Sequence, residues 1–334
     1  CIAIAAFLFT MDIIFYINGL EYVIYDYPTT SSLASYFWRS LSSAVFNSLV
    51  VTVVFLMPFL AGELLHYEVF PQNRDRTLFY HIRSTFFSKN TAMLILFGYL
   101  AAAIMLGIQS VIFFIGETHL GVWTEYRWMS HSSASYFTFI PAFVIAASAS
   151  LTEETLFRLF GISLGKKFLK NTLAAVLISS IIWGYGHSGY PVYPMWFRGL
   201  ETSILGIFLS FIFLKFGFIP VLTAHYLFDA FWCSANFLLG KSVPHLFYSA
   251  AFILIWPAIF AAAALIRNKA EVCGPMTWQL SKHQQHNLAI LKYYLSNHPA
   301  PEGKNTREWM DDIVQHGWDM AVVETAFQDL KLTE

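Results

Sequence analysis

Residues 136–164, YFTFIPAFVIAASASLTEETLFRLFGISL, decide what kind of molecule this is. A helix needs about 20 consecutive apolar residues to cross the hydrocarbon of a bilayer, and this run has the length. Its second half places Glu153, Glu154 and Arg158 inside the same run. On insertion scales each charge at a helix centre costs roughly 2.5–3.5 kcal/mol, so the three approach ~8–10 kcal/mol before any pairing. A cost of that size points to a use for the charges. Glu154 and Arg158 are four apart, so they share a helical face and can pair. Glu153 lies about 100° round the helix and is free to point elsewhere. That division leaves Glu153 as the candidate proton acceptor and Glu154 as a structural partner for Arg158.

Outward from this stretch the apolar pattern repeats in length though not in sequence. Eight such stretches run about 1–19, 44–65, 92–116, 136–164, 172–188, 199–216, 218–239 and 245–266. Charged residues make up 12% of the 334-residue chain and apolar residues 57%, against roughly 25% and 45–50% in soluble domains. Backbone polar groups in lipid must be satisfied within their own segment, so these stretches are read as helices. The fold class expected is all-α: a polytopic transmembrane bundle of about eight spans with a small helical C-terminal module. The organisation expected is N-terminal transmembrane helices in 1–135, a catalytic core in 136–240, a last span in 241–268 and a three-helix tail in 269–334. The tail is polar, with helical patterns near 282–296, 305–316 and 319–331.

Lysine and arginine set the expected orientation. Arg74, Arg76, Arg83 and Lys89 fall in one loop, and Lys166, Lys167, Lys170, Lys215, Arg267 and Lys269 fall on the same side. The opposite side has Arg39, Arg127, Arg198 and Lys241. The positive-inside rule then puts both termini, and the tail, in the cytoplasm. A net charge of −1 gives no reason to expect nucleic acid. Cys1, Cys233 and Cys273 show no CxxC spacing, so they suggest neither a zinc site nor a disulfide framework. Cys1 is read as the start of a chain cropped at its first span, in preference to a lipidated N-terminus.

Two more polar clusters sit in apolar runs. The fifth stretch ends Trp183-Gly184-Tyr185-Gly186-His187, and glycines there allow a neighbouring helix to approach closely. Alone, His187 reads more readily as a hydrogen-bonded core histidine than as a catalyst. The seventh stretch holds His225 and Asp229, whose spacing of four puts the carboxylate where it can fix the imidazole. Arg198 and Glu201 are three apart at the start of the sixth stretch and read as an interfacial pair or as substrate-binding groups at a cavity mouth.

The order Glu153-Glu154-x-x-x-Arg158, Trp183-x-x-x-His187 and His225-x-x-x-Asp229 resembles the CAAX protease and bacteriocin-processing family, which includes the type II CAAX prenyl endopeptidases. The resemblance covers about residues 137–240. It implies a glutamate-dependent intramembrane protease that needs no metal or other cofactor. Glu153 with His187 would activate the attacking water, and His225 with residue 229 would stabilise the oxyanion. Trp183 stands where the family has Phe, a change expected to affect packing alone. Asp229 stands where some members have Asn; an ionised Asp cannot donate to an oxyanion, so Asp229 is expected to orient His225, which donates by itself. The implied partners are membrane lipid and a membrane-associated peptide or protein, lipidated or hydrophobic, with a cytoplasmic protein partner considered for 270–334. A bacterial cytoplasmic membrane is the expected location.

Three other readings compete. A zinc protease would use Glu153, His187 and His225 as ligands, but the chain has no HExxH. A non-catalytic scaffold or immunity factor would keep the fold and act through its tail, and it would have no use for the three motifs. A proton-coupled transporter would also carry intramembrane carboxylates and histidines, but no inverted repeat is visible.

Overall fold

The computed structural model describes residues 2–25, 27–125, 135–240, 243–268, 280–298, 301, 305–330 and 332. Of the residues named above, Cys1, Arg127, Lys241, Lys269 and Cys273 lie outside these. Eight long helices run through the described residues up to 268: α1 (Ile2–Asn18), α2 (Leu33–Val69), α3 (Lys89–His119), α4 (Phe139–Leu169), α5 (Thr172–Gly186), α6 (Met195–Phe216), α7 (Phe218–Gly240) and α8 (Pro244–Arg267). Each corresponds to one of the eight apolar stretches. The protein is an integral membrane protein of all-α class. Helices α2, α3, α4, α6 and α8 are long and apolar enough to cross a bilayer, while α1 and α5 are apolar but shorter. Helix α7 has the length, and its polar residues, His225 and Asp229 among them, lower its hydropathy.

Local chemistry sets the helix ends. Helix α2 starts well before its apolar run because Ser32 caps it, its hydroxyl accepting from the Ser35 N–H at 3.2 Å. Helix α5 starts at Asn171, whose side chain accepts from the Ala174 N–H at 3.1 Å. It follows α4 directly, across Lys170 in the left-handed region. Helices α6 and α7 are separated by Gly217 alone, at φ +91, where a Cβ would also lie 2.9 Å from the Arg76 carbonyl oxygen. Both the backbone angle and the lack of space require glycine there.

The bundle is apolar on its outer face: Met57 on α2, Leu100 and Phe114 on α3 and Ile182 on α5 are all exposed. Its polar side chains are turned inward, among them Glu154, Arg158, Glu201 and His225, each at most 3% exposed. This is the arrangement the solvent demands, since ionisable groups facing lipid would be uncompensated. Helix α5 packs on α6, and α7 packs on both α3 and α4, which brings the three motif-bearing helices together. On one end of the bundle a two-residue strand β1 (Trp123–Thr124) pairs antiparallel with β2 (Val192–Tyr193), and Trp123 stacks on Tyr193 at 4.5 Å.

Three further helices, α9 (Lys282–Asn297), α10 (Thr306–Gln315) and α11 (Met320–Asp329), form a C-terminal module. Capping boxes at Ser281/Gln284 and Asn305/Glu308 start the first two. Leu288, Leu291, Leu295, Trp309, Ile313, Val322, Val323 and Phe327 make its core.

Candidate active site

Helix α4 is the scaffold of the site. It is α-helical to Glu153 and π-helical from Glu154 to Ile162. Wide π turns are frequent at functional sites. Here the change of winding falls between the two adjacent carboxylates, which turn to different neighbours. Glu153 faces α5 and Glu154 faces α7.

On the α5 side, the Trp183 indole N–H donates to Glu153 Oε2. The same oxygen lies 3.6 Å from His187 Nε2. His187 Nδ1 lies 2.7 Å from the Trp183 carbonyl oxygen. A carbonyl only accepts, so Nδ1 carries the hydrogen and Nε2 is the nitrogen presented to Glu153. Tyr190 stacks on the His187 ring at 5.5 Å. Simple counting puts His187 nearer the far side of the membrane than Glu153. The mismatch disappears because α4 runs on to Leu169: Glu153 lies 16 residues from that end and His187 lies 15 from the start of α5 at Thr172, so the two are level.

On the α7 side, His225 Nδ1 lies 2.6 Å from Glu154 Oε1, and His225 Nε2 lies 3.3 Å from Asp229 Oδ2. This redistributes two expected roles. Glu154 is more than a partner for Arg158, since it also holds the His225 ring from behind. Asp229 does not take the orienting position; it sits at the outward nitrogen, because one helical turn along α7 reaches that side of the ring only. An ionised carboxylate only accepts, so with both partners ionised both ring nitrogens carry hydrogen.

Arg158 and Glu154 form the expected ion pair, 3.1 Å apart and 1% and 0% exposed. The guanidinium also lies 4.0 Å over the Trp183 ring. Trp183 is therefore not a packing change alone, as the substitution for Phe suggested: its N–H, its ring face and its carbonyl each meet a different site residue.

Glu153, His187, His225 and Asp229 line one cavity of ≈ 390 Å³. This falls in the range of about 300–1,000 Å³ for ligand clefts. Glu153 and Asp229 side chains are 26% and 24% exposed, while Glu154 is fully buried. Of the three motif carboxylates, two thus reach the cavity and one supports from behind.

The opposite wall differs from expectation. Arg198 and Glu201 are not an interfacial pair: Glu201 is fully buried and accepts from Arg198 Nη1 at 2.6 Å, Gln109 Nε2 at 3.0 Å and Thr202 Oγ1 at 3.1 Å. Gln109 in turn accepts from the Trp232 indole at 2.7 Å. Arg198, Gln109, Thr202 and Trp232 all line the cavity. The sequence reading missed Gln109, although a lone amide in the middle of an apolar run was signal enough.

Among the described residues no group of three or more His, Cys, Asp or Glu side chains is placed to hold a metal ion. His225 turns both ring nitrogens to carboxylates, while His187 turns Nδ1 to a carbonyl and Nε2 toward Glu153.

Residues 135–231 match the family model described as type II CAAX prenyl endopeptidase Rce1-like. This part of the chain is similar to the CAAX protease and bacteriocin-processing family. Among curated proteins, the sporulation-killing factor biosynthesis protein SkfC of Bacillus subtilis (strain 168) is 34% identical over 137 residues, which is 40% of this chain. The match spans 27% of that protein's length. No solved structure matches the chain.

Proposed function

We propose that this protein is a glutamate-dependent intramembrane endopeptidase that hydrolyses a bond in a membrane-associated peptide or protein. The observation that carries the reading is the convergence of two carboxylate–imidazole pairs, Glu153–His187 and Glu154–His225, from α4, α5 and α7 on one cavity. The first pair suits general-base chemistry: a water bound between the Glu153 carboxylate and His187 Nε2 loses its proton to Glu153 as it attacks the scissile carbonyl. The second suits oxyanion stabilisation: His225 Nε2–H faces the cavity, held from behind by Glu154, which Arg158 anchors. The proton taken by Glu153 then passes to the leaving amine. Asp229 shares the His225 hydrogen at rest and gives it up to the oxyanion.

The substrate is a lipidated or hydrophobic peptide entering from the bilayer. The location is a bacterial cytoplasmic membrane, with both termini and the C-terminal module in the cytoplasm. One observation favours a second reading, that of a scaffold: the C-terminal module has a hydrophobic core of its own and could bind a protein partner without catalysis.

The test is cleavage of a peptide library by purified protein in detergent, comparing wild type with Glu153→Ala and His225→Ala. Cleavage by wild type and loss in both folded variants is the expected result. No cleavage by any of the three, with a partner captured through residues 270–334, overturns it in favour of the scaffold.

A further inference from the structure

Trp183 is 3% exposed and touches both halves of the site. Its indole N–H donates to Glu153 Oε2, its carbonyl oxygen fixes His187 Nδ1, and its ring face carries the Arg158 guanidinium at 4.0 Å. The His225 ring meets its edge, with centroids 5.6 Å apart.

The two Glu153 oxygens consequently differ. Oε2 receives the indole N–H and faces His187. Oε1 takes no part in these two contacts, and Glu153 lines the cavity. A carboxylate without the indole donor could turn about its terminal torsion, which is broad and roughly two-fold. The Arg158 charge above the ring adds to the contact. A cation over an indole withdraws electron density from it, which makes the N–H a stronger donor. One buried guanidinium thereby supports Glu154 directly and Glu153 through the ring.

We infer that Trp183 is a positioning residue for the general base, holding Glu153 Oε2 so that Oε1 meets the substrate water. The inference rests on the peptidase reading for its catalytic meaning, while the contact itself can be tested without catalysis. A phenylalanine at this position keeps the ring and the carbonyl but has no N–H to offer.

The experiment has two arms. In protein labelled with ¹⁵N at the indole nitrogens, the Trp183 cross-peak is the one that vanishes in Trp183→Phe. It should move upfield in Glu153→Ala, which loses the acceptor, and stay in place in Asp229→Asn. In kinetics, Trp183→Phe should lower kcat about tenfold or more, the scale of one hydrogen bond to a charged group, with KM within about twofold of wild type. The benzothiophene isostere of tryptophan at 183 keeps the shape without the N–H and should behave like Trp183→Phe. A merely structural role would leave that isostere fully active. An indole peak indifferent to Glu153→Ala overturns the contact, and a wild-type kcat in the isostere overturns the role. If wild type cuts no peptide, the peptidase reading falls and the indole peak alone decides whether Trp183 holds Glu153.

Discussion

Gly184 lies between Trp183 and His187 at a close contact of α5 with α6, and replacing it by alanine tests whether that contact sets the site. A Cβ there would lie 2.1 Å from Ser203 Oγ, 2.5 Å from the Ser203 nitrogen and 2.6 Å from the Gly199 carbonyl oxygen. The hydroxyl can rotate away, but the two backbone atoms cannot. An ordinary contact of 3.4 Å to the Gly199 oxygen leaves a shortfall of about 0.8 Å, so the helices must separate. Alanine gains about 1 kcal/mol of helix propensity over glycine. Overpacking costs about 1–3 kcal/mol, so the net effect is a loss of up to about 2 kcal/mol. Activity suffers more, because a displacement near 1 Å can cost on the order of 10²-fold, and the His187–Glu153 separation is already 3.6 Å. At Gly186, two residues on, an added Cβ would meet nothing within 4 Å, so Gly186→Ala serves as the control. The assay is thermal unfolding in detergent together with kcat/KM on one library peptide. Gly184→Ala as stable and as active as Gly186→Ala would show that the α5–α6 contact does not set the site.

The two adjacent glutamates should respond oppositely. Glu154→Gln strands Arg158 in a buried site, and breaking such a pair costs about 3–5 kcal/mol, so thermal unfolding should shift far downward; Glu153→Gln, at a side chain 26% exposed, should leave stability nearly unchanged and abolish cleavage. Asp229→Asn offers an amide donor beside His225 Nε2 and should retain kcat within about threefold, since a well-placed oxyanion donor helps and a competing acceptor does not; a loss of a hundredfold would contradict the assignment. His81, in the short helical segment between α2 and α3 and 3% exposed, is held by burial down to about 4 from its ordinary 6.5. Its folded value is depressed, so the unfolded chain takes up the proton first. Stability is then full above pH 6.5 and falls as pH drops toward 4, by about 3 kcal/mol in all. Unfolding midpoints of wild type and His81→Gln measured at pH 7 and pH 5 should differ in slope, and parallel slopes would sink the assignment.

Much of this was legible in the sequence because the bilayer allows few solutions. Eight apolar stretches could only be helices, and charges within them could only face inward. The motif order from Glu153 through His187 to Asp229 marked three helices that had to meet. What the sequence did not carry is the direction of each side chain. Periodicity assumes regular α-helix, and the π winding from Glu154 breaks that assumption where it matters. The reach of Glu154 to His225 therefore stayed hidden, and the orienting role went to Asp229, the nearer residue along the chain. Trp183 looked like a conservative change because ring size is visible in a sequence and the acceptor of an indole N–H is not. Arg198 and Glu201 looked interfacial because Gln109, the partner that reaches Glu201 from another helix, lies 92 positions away.

In the proposed reaction Glu153 activates water for attack on a peptide bond. The most direct test of this step is hydrolysis of the best library peptide in oxygen-18 water by wild type and by folded Glu153→Gln. Wild type should leave one heavy oxygen in the new C-terminal carboxylate, and the variant should give no product. Cleavage by Glu153→Gln at the wild-type rate would contradict that role.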